Sequence, residues 1–212
     1  STSLGNVDFA DLPAIFQAIM EELYIGLDCS TTSAKAIAWT PTGCPVGEGR
    51  AAIGCTSPAP GFAEQDPCEW WTASAQAIAR CLDQVNPSAV QAIGITVQRE
   101  TFALLAKNGT PLRPAILWYD ARATAELAAL QETLSSDTYH RRTGKQLDIT
   151  SAIAKMQWVR THEPGLLTQT DTLVDVLAYL SLQLTGFPRT PSSGIDTTGL
   201  VELRTGNWLE EH

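Results

Sequence analysis

Eight residues, Asp28-Cys29-Ser30-Thr31-Thr32-Ser33-Ala34-Lys35, separate two short apolar runs near the start of the sequence. The flanking runs, 24–27 and 36–39, have the length and composition of β-strands. The segment between them is therefore predicted to be a hairpin loop rather than a loop that joins a strand to a helix.

The polar groups of this loop suit a nucleotide phosphate and its metal ion. The hydroxyls of Thr31, Thr32 and Ser33, with neighbouring backbone N–H groups, can surround phosphate oxygens, and Lys35 can balance their charge. Asp28 can hold a hydrated Mg²⁺. Ser and Thr are also common in ordinary turns, so the loop alone leaves a plain polar turn as an equal alternative.

Composition and charge narrow the class of protein. With 212 residues, 44% apolar and 17% charged, the chain is predicted to be globular, as one large domain or two small ones. A net charge of −9 and the lack of any Lys/Arg run argue against nucleic acid and anionic membranes as partners. No apolar stretch approaches the length of a membrane span. Five cysteines without C-x-x-C spacing favour free thiols in a reducing cytoplasm over a zinc site or disulfides.

Apolar patterns divide the chain into an extension and a domain. Residues 11–23 carry an amphipathic helix pattern, and residues 1–23 are interpreted as a helical extension, either native or an added segment. Residues 24–212 are interpreted as the domain, which begins with three strands within 24–55. Asp66 is predicted to cap a helix that starts at Pro67.

The remainder of the domain is predicted to contain both strands and helices. A continuous apolar run predicts a buried strand over 89–97. The pair Asn108-Gly109 predicts a hairpin between strands at 101–105 and 114–118. Helices are predicted at about 121–134, 150–161 and 174–185, with a short strand at 199–203. The predicted fold class is α/β, with a mixed sheet flanked by helices.

Polar residues follow two of the predicted strands, at the strand ends where ligands bind in open α/β sheets. Gln98, Arg99 and Glu100 can donate to and accept from adjacent sugar hydroxyls, although a surface ion pair would have the same sequence. Asp120 can accept hydroxyl hydrogen bonds or cap the following helix. Lys155, on an apolar helix face, is a third candidate for the site, although a snorkelling side chain is the favoured interpretation.

Taken in order, these motifs resemble the FGGY carbohydrate kinases over about residues 24–208. The matching set is the hydroxyl-rich hairpin, Gly61–Pro67 with Trp70-Trp71, Gln98–Glu100, Pro114–Arg122, and Ser193–Gly199 with Trp208. The segments 61–71 and 111–122 look most like xylulokinases, whereas 98–101 looks more like glycerol kinases. In glycerol kinases a substrate-contacting Tyr follows the Thr-Gly that matches Thr143-Gly144. Thr150 lies near that place here, which argues against glycerol.

The resemblance implies an actin-like, ribonuclease-H-like domain that binds ATP and Mg²⁺ in a cleft against a second, similar domain. Phosphate-loop positions of the family fall on Thr31, Thr32, Ser33 and Lys35, with Asp28 as the metal-binding carboxylate. Substrate-pocket positions fall on Gln98, Arg99, Glu100 and Asp120. Ser30 stands where the family frequently has Gly.

The implied reaction is ATP-dependent phosphorylation of a sugar, with D-xylulose to D-xylulose 5-phosphate favoured. The alternatives are a glycerol or polyol kinase and a non-catalytic, sugar-sensing member of the family. The family carries its catalytic aspartate in a Gly-Asp-Gln/Asn motif, and no Gly-Asp occurs in this sequence. The chain is therefore expected to hold no catalytic residue and to be inactive alone, as the first half of a kinase. Its expected partners are a sugar or polyol, the missing C-terminal kinase domain and, in one arrangement, a second copy in a homodimer.

Overall fold

The structure, a computed structural model, describes residues 22–209, and this part of the chain forms eight strands and seven α-helices. In chain order they are β1 (Leu23–Cys29), β2 (Ser33–Trp39), β3 (Pro45–Ala52), β4 (Glu64–Gln65), α1 (Pro67–Leu82), β5 (Val90–Val97), β6 (Phe102–Leu105), β7 (Ala115–Ile116), α2 (Thr124–Thr133), α3 (Ser136–Thr143), α4 (Ala152–His162), α5 (Pro164–Gln169), β8 (Thr172–Asp175), α6 (Val176–Thr185) and α7 (Ser192–Ile195).

The first sheet has the strand order β3-β2-β1-β5 and is mixed. Strands β1, β2 and β3 form an antiparallel meander, and β5 runs parallel to β1. Side chains alternate across β1, so Ile25, Leu27 and Cys29 are buried on one face while Asp28 lies on the other. The predicted hairpin between the first two strands and the predicted mixed sheet with flanking helices are both confirmed.

Helix α1 covers the buried face of this sheet at unusually short range. Asp66 caps the helix as predicted, accepting a hydrogen bond from the backbone N–H of Cys68 at 2.9 Å. The apolar face of helix α1 consists of Trp70, Ala73, Ala77 and Cys81, all of them buried. The sheet meets them with small residues: a Cβ added to Gly49 would lie 1.9 Å from the carbonyl oxygen of Ala77. Glycine at this position lets the two backbones approach each other.

The second sheet is antiparallel, with the strand order β4-β7-β6-β8. Strands β6 and β7 form the hairpin predicted around Asn108-Gly109, and Gly109 adopts the positive φ of 81° that its turn requires. Residues of β6, β8 and α6 join the core beneath the first sheet, while Phe102, Leu104 and Ile116 form a separate cluster with α4.

Several predicted elements are corrected by the structure. The strand over 89–97 exists, but most of its residues are exposed because β5 lies at the edge of the sheet. Residues 172–175 form β8, paired with β6, and not the start of the helix predicted from 174. Helices α3, α5 and α7 were not predicted. Residues 199–203 form no strand, only a bridge between Val201 and Trp208.

Most of the predicted N-terminal helical extension lies outside the described residues. Its last residue, Leu23, begins strand β1, so the first strand starts one residue earlier than predicted. Over residues 22–209, no helix combines the length and the apolar character needed to cross a membrane.

Candidate functional site

One cleft collects most of the residues singled out from the sequence. It has a volume of about 450 Å³ and lies where the β1–β2 loop, the end of β5 and the segment after β7 meet. Its lining residues are Asp28, Ser30, Thr31, Val97, Gln98, Arg99, Glu100, Trp118 and Thr150. The parallel pairing of β1 with β5 explains the meeting, because it brings the carboxyl ends of both strands to the same sheet edge.

The β1–β2 loop is held in shape by its own hydroxyl groups. Ser30 donates its hydroxyl to a carboxylate oxygen of Asp28 at 2.9 Å, and the backbone N–H of Ser30 donates to the carbonyl of Ser33 at 3.0 Å. The hydroxyl of Thr31 accepts from the indole N–H of Trp118 and donates to the side-chain oxygen of Gln98, both at 3.1 Å. The loop is therefore anchored to the opposite side of the cleft.

Three of the predicted phosphate-binding residues do not line the cleft. Thr32 is exposed at the tip of the hairpin. Ser33 and Lys35 lie within strand β2, where Ser33 is buried and accepts a hydrogen bond from Arg50 at 3.2 Å. Lys35 pairs with Glu48 at 3.1 Å. Among the four predicted phosphate-loop residues, Thr31 alone has a place in the cleft wall.

Asp28, the carboxylate predicted to bind the metal ion, lies near the carboxyl end of β1. It is half-buried, and its neighbours across the sheet are Lys35 on β2 and Thr96 on β5. Within residues 22–209, no group of three or more His, Cys, Asp or Glu side chains is placed to hold a metal ion. A lone carboxylate with an adjacent hydroxyl fits a largely hydrated Mg²⁺, which takes one or two protein carboxylates and otherwise water or phosphate oxygens.

Gln98 belongs to an amide network that the sequence did not reveal. Its side-chain N–H₂ donates to the amide oxygen of Gln65 at 2.8 Å. Gln65, nearly fully buried, donates in turn to the backbone carbonyls of Thr31 and Gly54 and accepts from the indole of Trp70. Gln65 thus links strand β4 to the β1–β2 loop. The sequence signal for this role is that Gln65 lies within 61–67, one of the segments that carry the family resemblance.

Arg99 and Glu100 both line the cleft, and each is paired with an oppositely charged residue from a later part of the chain. Arg99 contacts Asp196 at 2.8 Å, and Glu100 contacts Lys145 at 3.1 Å. Glu100 has a φ of 59°, the only positive value for a non-glycine residue in the described part of the chain. A side-chain-bearing residue in this region is uncommon and costs free energy, which makes Glu100 a candidate for function.

Asp120 lies behind the cleft wall, not in it. Its carboxylate is 0% exposed and accepts from the backbone N–H of Ala63 at 2.5 Å and from two guanidinium nitrogens of Arg122 at 2.9 and 2.8 Å. Arg122 in turn pairs with Glu64 at 2.8 Å, and its guanidinium carbon lies 4.1 Å from the centroid of the Phe62 ring. Both oxygens of Asp120 hold the chain that follows β7, so in this arrangement its carboxylate is not exposed to the cleft, and its predicted contact with substrate stays a prediction.

Lys155 is not the snorkelling residue expected from its sequence. Its side chain is 0% exposed, and the ammonium donates to three backbone carbonyls of neighbouring loops. Burial lowers the pKa of Lys155 to about 8, and the carboxylates of Asp120, Glu100 and Asp148 offset part of that effect.

Comparison with known proteins identifies a matching family and similar sequences. A family model described as the N-terminal domain of the FGGY family of carbohydrate kinases matches residues 23–212. A glycerol kinase of Thermococcus onnurineus is 31% identical over 198 residues, covering 91% of this chain and 40% of that protein. A xylulose kinase of Klebsiella pneumoniae is 30% identical over 189 residues, covering 89% of this chain and 39% of that protein. The chain thus spans about 40% of the length of these curated relatives.

Solved structures of carbohydrate kinases share the fold of this chain. A xylulose kinase from Rhodospirillum rubrum superposes with a TM-score of 0.85 at 28% identity, covering 90% of this chain and 39% of that one. A glycerol kinase from Plasmodium falciparum, solved with ADP, has a TM-score of 0.81 at 23% identity, covering 90% of this chain and 40% of that one. The actin-like, ribonuclease-H-like fold implied by the motifs is thereby confirmed.

Proposed function

Because the chain belongs to the FGGY family of carbohydrate kinases, we propose that it forms the N-terminal part of an enzyme that transfers the γ-phosphate of ATP to a sugar hydroxyl. One observation carries the proposal: the β1–β2 loop with Asp28 and the polar segment 98–100 line the same cleft. A kinase needs these two kinds of site side by side, since its catalysis consists largely of placing the acceptor hydroxyl in line with the γ-phosphate.

The loop side of the cleft is assigned to the nucleotide. Thr31 and the neighbouring backbone would contact phosphate oxygens, and Asp28 would hold Mg²⁺ through its water shell. When bound, Mg²⁺ neutralises charge that develops on the phosphate oxygens. Ser30 and Trp118 keep Asp28 and Thr31 in place through the hydrogen bonds that already exist in the loop.

The opposite side is assigned to the sugar. Arg99 offers N–H donors and Glu100 offers an acceptor, which together match the adjacent hydroxyls of a sugar or polyol. Both side chains line the cleft, and the half-exposed indole of Trp118 provides an apolar face for the sugar C–H groups. Thr150 completes this side with a small hydroxyl-bearing side chain.

For the acceptor we propose D-xylulose, giving D-xylulose 5-phosphate, with glycerol or another polyol as the second candidate. The segments 61–71 and 111–122 favour xylulose, and so does Thr150 at the place where a glycerol kinase would present Tyr. The pair Arg99-Glu100 favours glycerol. Relatives named for each substrate are about equally similar to this chain, at 31% and 30% identity.

The proton acceptor is proposed to lie beyond residue 212, in a second kinase domain that would also bind adenine. In the reaction, the sugar hydroxyl oxygen bonds to the γ-phosphorus, ADP leaves, and the hydroxyl proton passes to that acceptor. A non-catalytic, sugar-sensing role is the alternative, and it predicts that a longer protein carrying this chain lacks the Gly-Asp-Gln/Asn motif.

The test is an ADP-release assay of the longer protein against a panel containing xylulose, gluconate, glycerol and other polyols, with the 212-residue chain assayed in parallel. We expect turnover in the usual enzyme range, about 10 s⁻¹, for one of these acceptors with the longer protein only. ATP hydrolysis that no acceptor stimulates would refute the kinase. Comparable turnover by the 212-residue chain would refute the assignment of the proton acceptor to a later domain.

A further inference from the structure

We infer that Lys155 is a positioning residue: its buried ammonium binds the backbone of the two loops that carry Trp118 and Thr150, and so fixes the positions of these two residues in the cleft wall. The inference about geometry stands on the structure alone, and its consequence for substrate binding rests on the proposed kinase function.

The hydrogen bonds of Lys155 run to backbone groups alone. The ammonium donates to the carbonyls of Leu117 and Thr150 at 3.0 Å each, and also to the carbonyl of Trp118. A lysine ammonium has three donors, so these three carbonyls use all of them. No donor is left for a ligand, which distinguishes Lys155 from Arg99 and assigns it a role through its neighbours.

The three carbonyls come from two separate loops, one after β7 and one just before α4. Trp118 and Thr150 are both lining residues of the cleft, whereas Lys155 itself is fully buried at the start of α4. The ammonium is therefore the point at which these two parts of the cleft wall are joined from behind.

The connection extends to the nucleotide side of the cleft. Trp118, whose carbonyl is bound by Lys155, also donates its indole N–H to the hydroxyl of Thr31. A change in the position of the Trp118 backbone would therefore move a contact to the β1–β2 loop as well as the apolar face of the pocket.

The electrostatics agree with a backbone clamp. Over residues 22–209, the ammonium of Lys155 makes no salt bridge, and its charge is stabilised by backbone carbonyls together with Asp120, Glu100 and Asp148 at longer range. Its lowered pKa of about 8 still leaves Lys155 mostly charged at neutral pH, with all three donors present. Leucine or methionine at position 155 would fill a similar volume at a far lower desolvation cost than lysine. The hydrogen bonds to three carbonyls are what the charged ammonium provides and an apolar side chain would not.

The test is hydrogen exchange, read by mass spectrometry, on the 212-residue chain and its Lys155→Met variant. Methionine keeps the length and volume of the side chain but donates nothing. We expect at least tenfold faster exchange in the peptides around residues 116–122 and 148–152, where the amides of Trp118, Asp120 and Ser151 are hydrogen-bonded in the wild type. Exchange in β1, β2 and α1 should stay within twofold. The matched control is Lys107→Met, an exposed lysine in the β6–β7 turn, which should change neither region.

Unchanged exchange in both loops of a folded Lys155→Met protein would overturn the inference. If this variant does not fold, Lys155→Gln takes its place, because its amide keeps two donors on a shorter side chain and should give an intermediate effect. Failure of both variants to fold would assign Lys155 to the stability of the whole domain and would equally overturn the positioning role.

A kinetic measurement on the longer protein separates this inference from the proposed function. Lys155→Met should raise the KM for the sugar at least tenfold, with a smaller rise in the KM for ATP because the indole of Trp118 also contacts Thr31. If the wild type phosphorylates no sugar, the proposed function fails while the exchange result still decides the clamp. If the wild type is active and the exchange changes without any effect on sugar KM, the claimed control of the cleft is overturned.

Discussion

The indole nitrogen of Trp118 donates a hydrogen bond to the hydroxyl of Thr31 across 3.1 Å, joining two segments that are 87 positions apart in the chain. The same Thr31 hydroxyl donates to Gln98, so the nucleotide and sugar sides of the cleft share one hydrogen-bonded residue. Because the two sides meet at Thr31, the effects of a substitution on the sugar and on ATP are separated by varying each substrate on its own.

Asp28→Asn in the longer protein should lower kcat at least a hundredfold. Asparagine keeps an oxygen that can accept from Ser30, so the loop should retain its shape, but it removes the charge proposed to hold Mg²⁺. The measurement is kcat over a titration of Mg²⁺. Glu48→Gln, which removes an exposed carboxylate next to Lys35, is the control and should leave kcat unchanged. Activity within tenfold of wild type at saturating Mg²⁺ would count against the metal role of Asp28.

Arg99→Ala should weaken the sugar and spare ATP. Each hydrogen bond lost from a charged donor costs about 1.5–3 kcal/mol, so kcat/KM for the sugar should fall at least roughly tenfold. The KM for ATP should change less than threefold, because Arg99 follows β5 and its side chain pairs with Asp196, not with the β1–β2 loop. Varying each substrate separately gives the answer. A rise in ATP KM with unchanged sugar parameters would place Arg99 on the nucleotide side or in a plain surface ion pair.

Asp120→Asn should destabilise the domain by about 3 kcal/mol, since it leaves the buried Arg122 short of a carboxylate and turns an amide donor toward other donors. Thermal or urea unfolding of the 212-residue chain measures this. Asp83→Asn, at an exposed helix end, is the matched control and should change stability by less than about 0.5 kcal/mol. A stable Asp120→Asn protein with impaired sugar binding would restore the direct substrate contact first predicted for Asp120.

Gly49→Ala should also destabilise the domain, by about 1–3 kcal/mol or more. The added Cβ would lie 1.9 Å from the carbonyl oxygen of Ala77, a backbone atom that can move only with helix α1. Gly94→Ala in strand β5 is the control, because its Cβ would meet nothing within 4 Å. The difference in unfolding free energy between the two variants isolates the helix–sheet contact. Equal stability would show that α1 can shift away from β3 without loss.

The sequence was most informative where structure depends on neighbouring residues. The first hairpin, the cap at Asp66 and the Asn108-Gly109 turn all follow from local chemistry and are confirmed. Strand β8 was missed because four residues leading directly into a helix carry no pattern of their own, and its identity depends on pairing with β6.

The site residues show the same difference between what neighbouring residues determine and what distant residues determine. Asp28 and the 98–100 segment could be placed at strand ends from the sequence, and both line the cleft. The burial of Asp120 and Lys155 could not be predicted, because each has a partner far along the chain: Ala63 is 57 positions from Asp120, and Leu117 is 38 positions from Lys155. A carboxylate before a helix and a lysine on an apolar face have the same sequence whether they are exposed or buried.

Lys155 should give the domain a distinctive pH dependence. Burial lowers its pKa from 10.5 to about 8, so between these values the unfolded chain holds a proton that the folded chain has released. Stability therefore rises with pH in this window, and the contribution of Lys155 should grow by about 1 kcal/mol between pH 7.5 and 9. The thiol of Cys29 acts in the opposite direction above pH 9, because burial raises its pKa to about 11.

The measurement is the unfolding free energy of wild type and Lys155→Met by urea at pH 7.5, 8.25 and 9, where groups other than Lys155 contribute equally to both proteins. The difference between the two should shift by about 1 kcal/mol in favour of the wild type as pH rises. A constant difference would mean that Lys155 has a normal pKa in the folded chain, and a shift in favour of the variant would mean that its carbonyl partners stabilise the charge more than burial destabilises it.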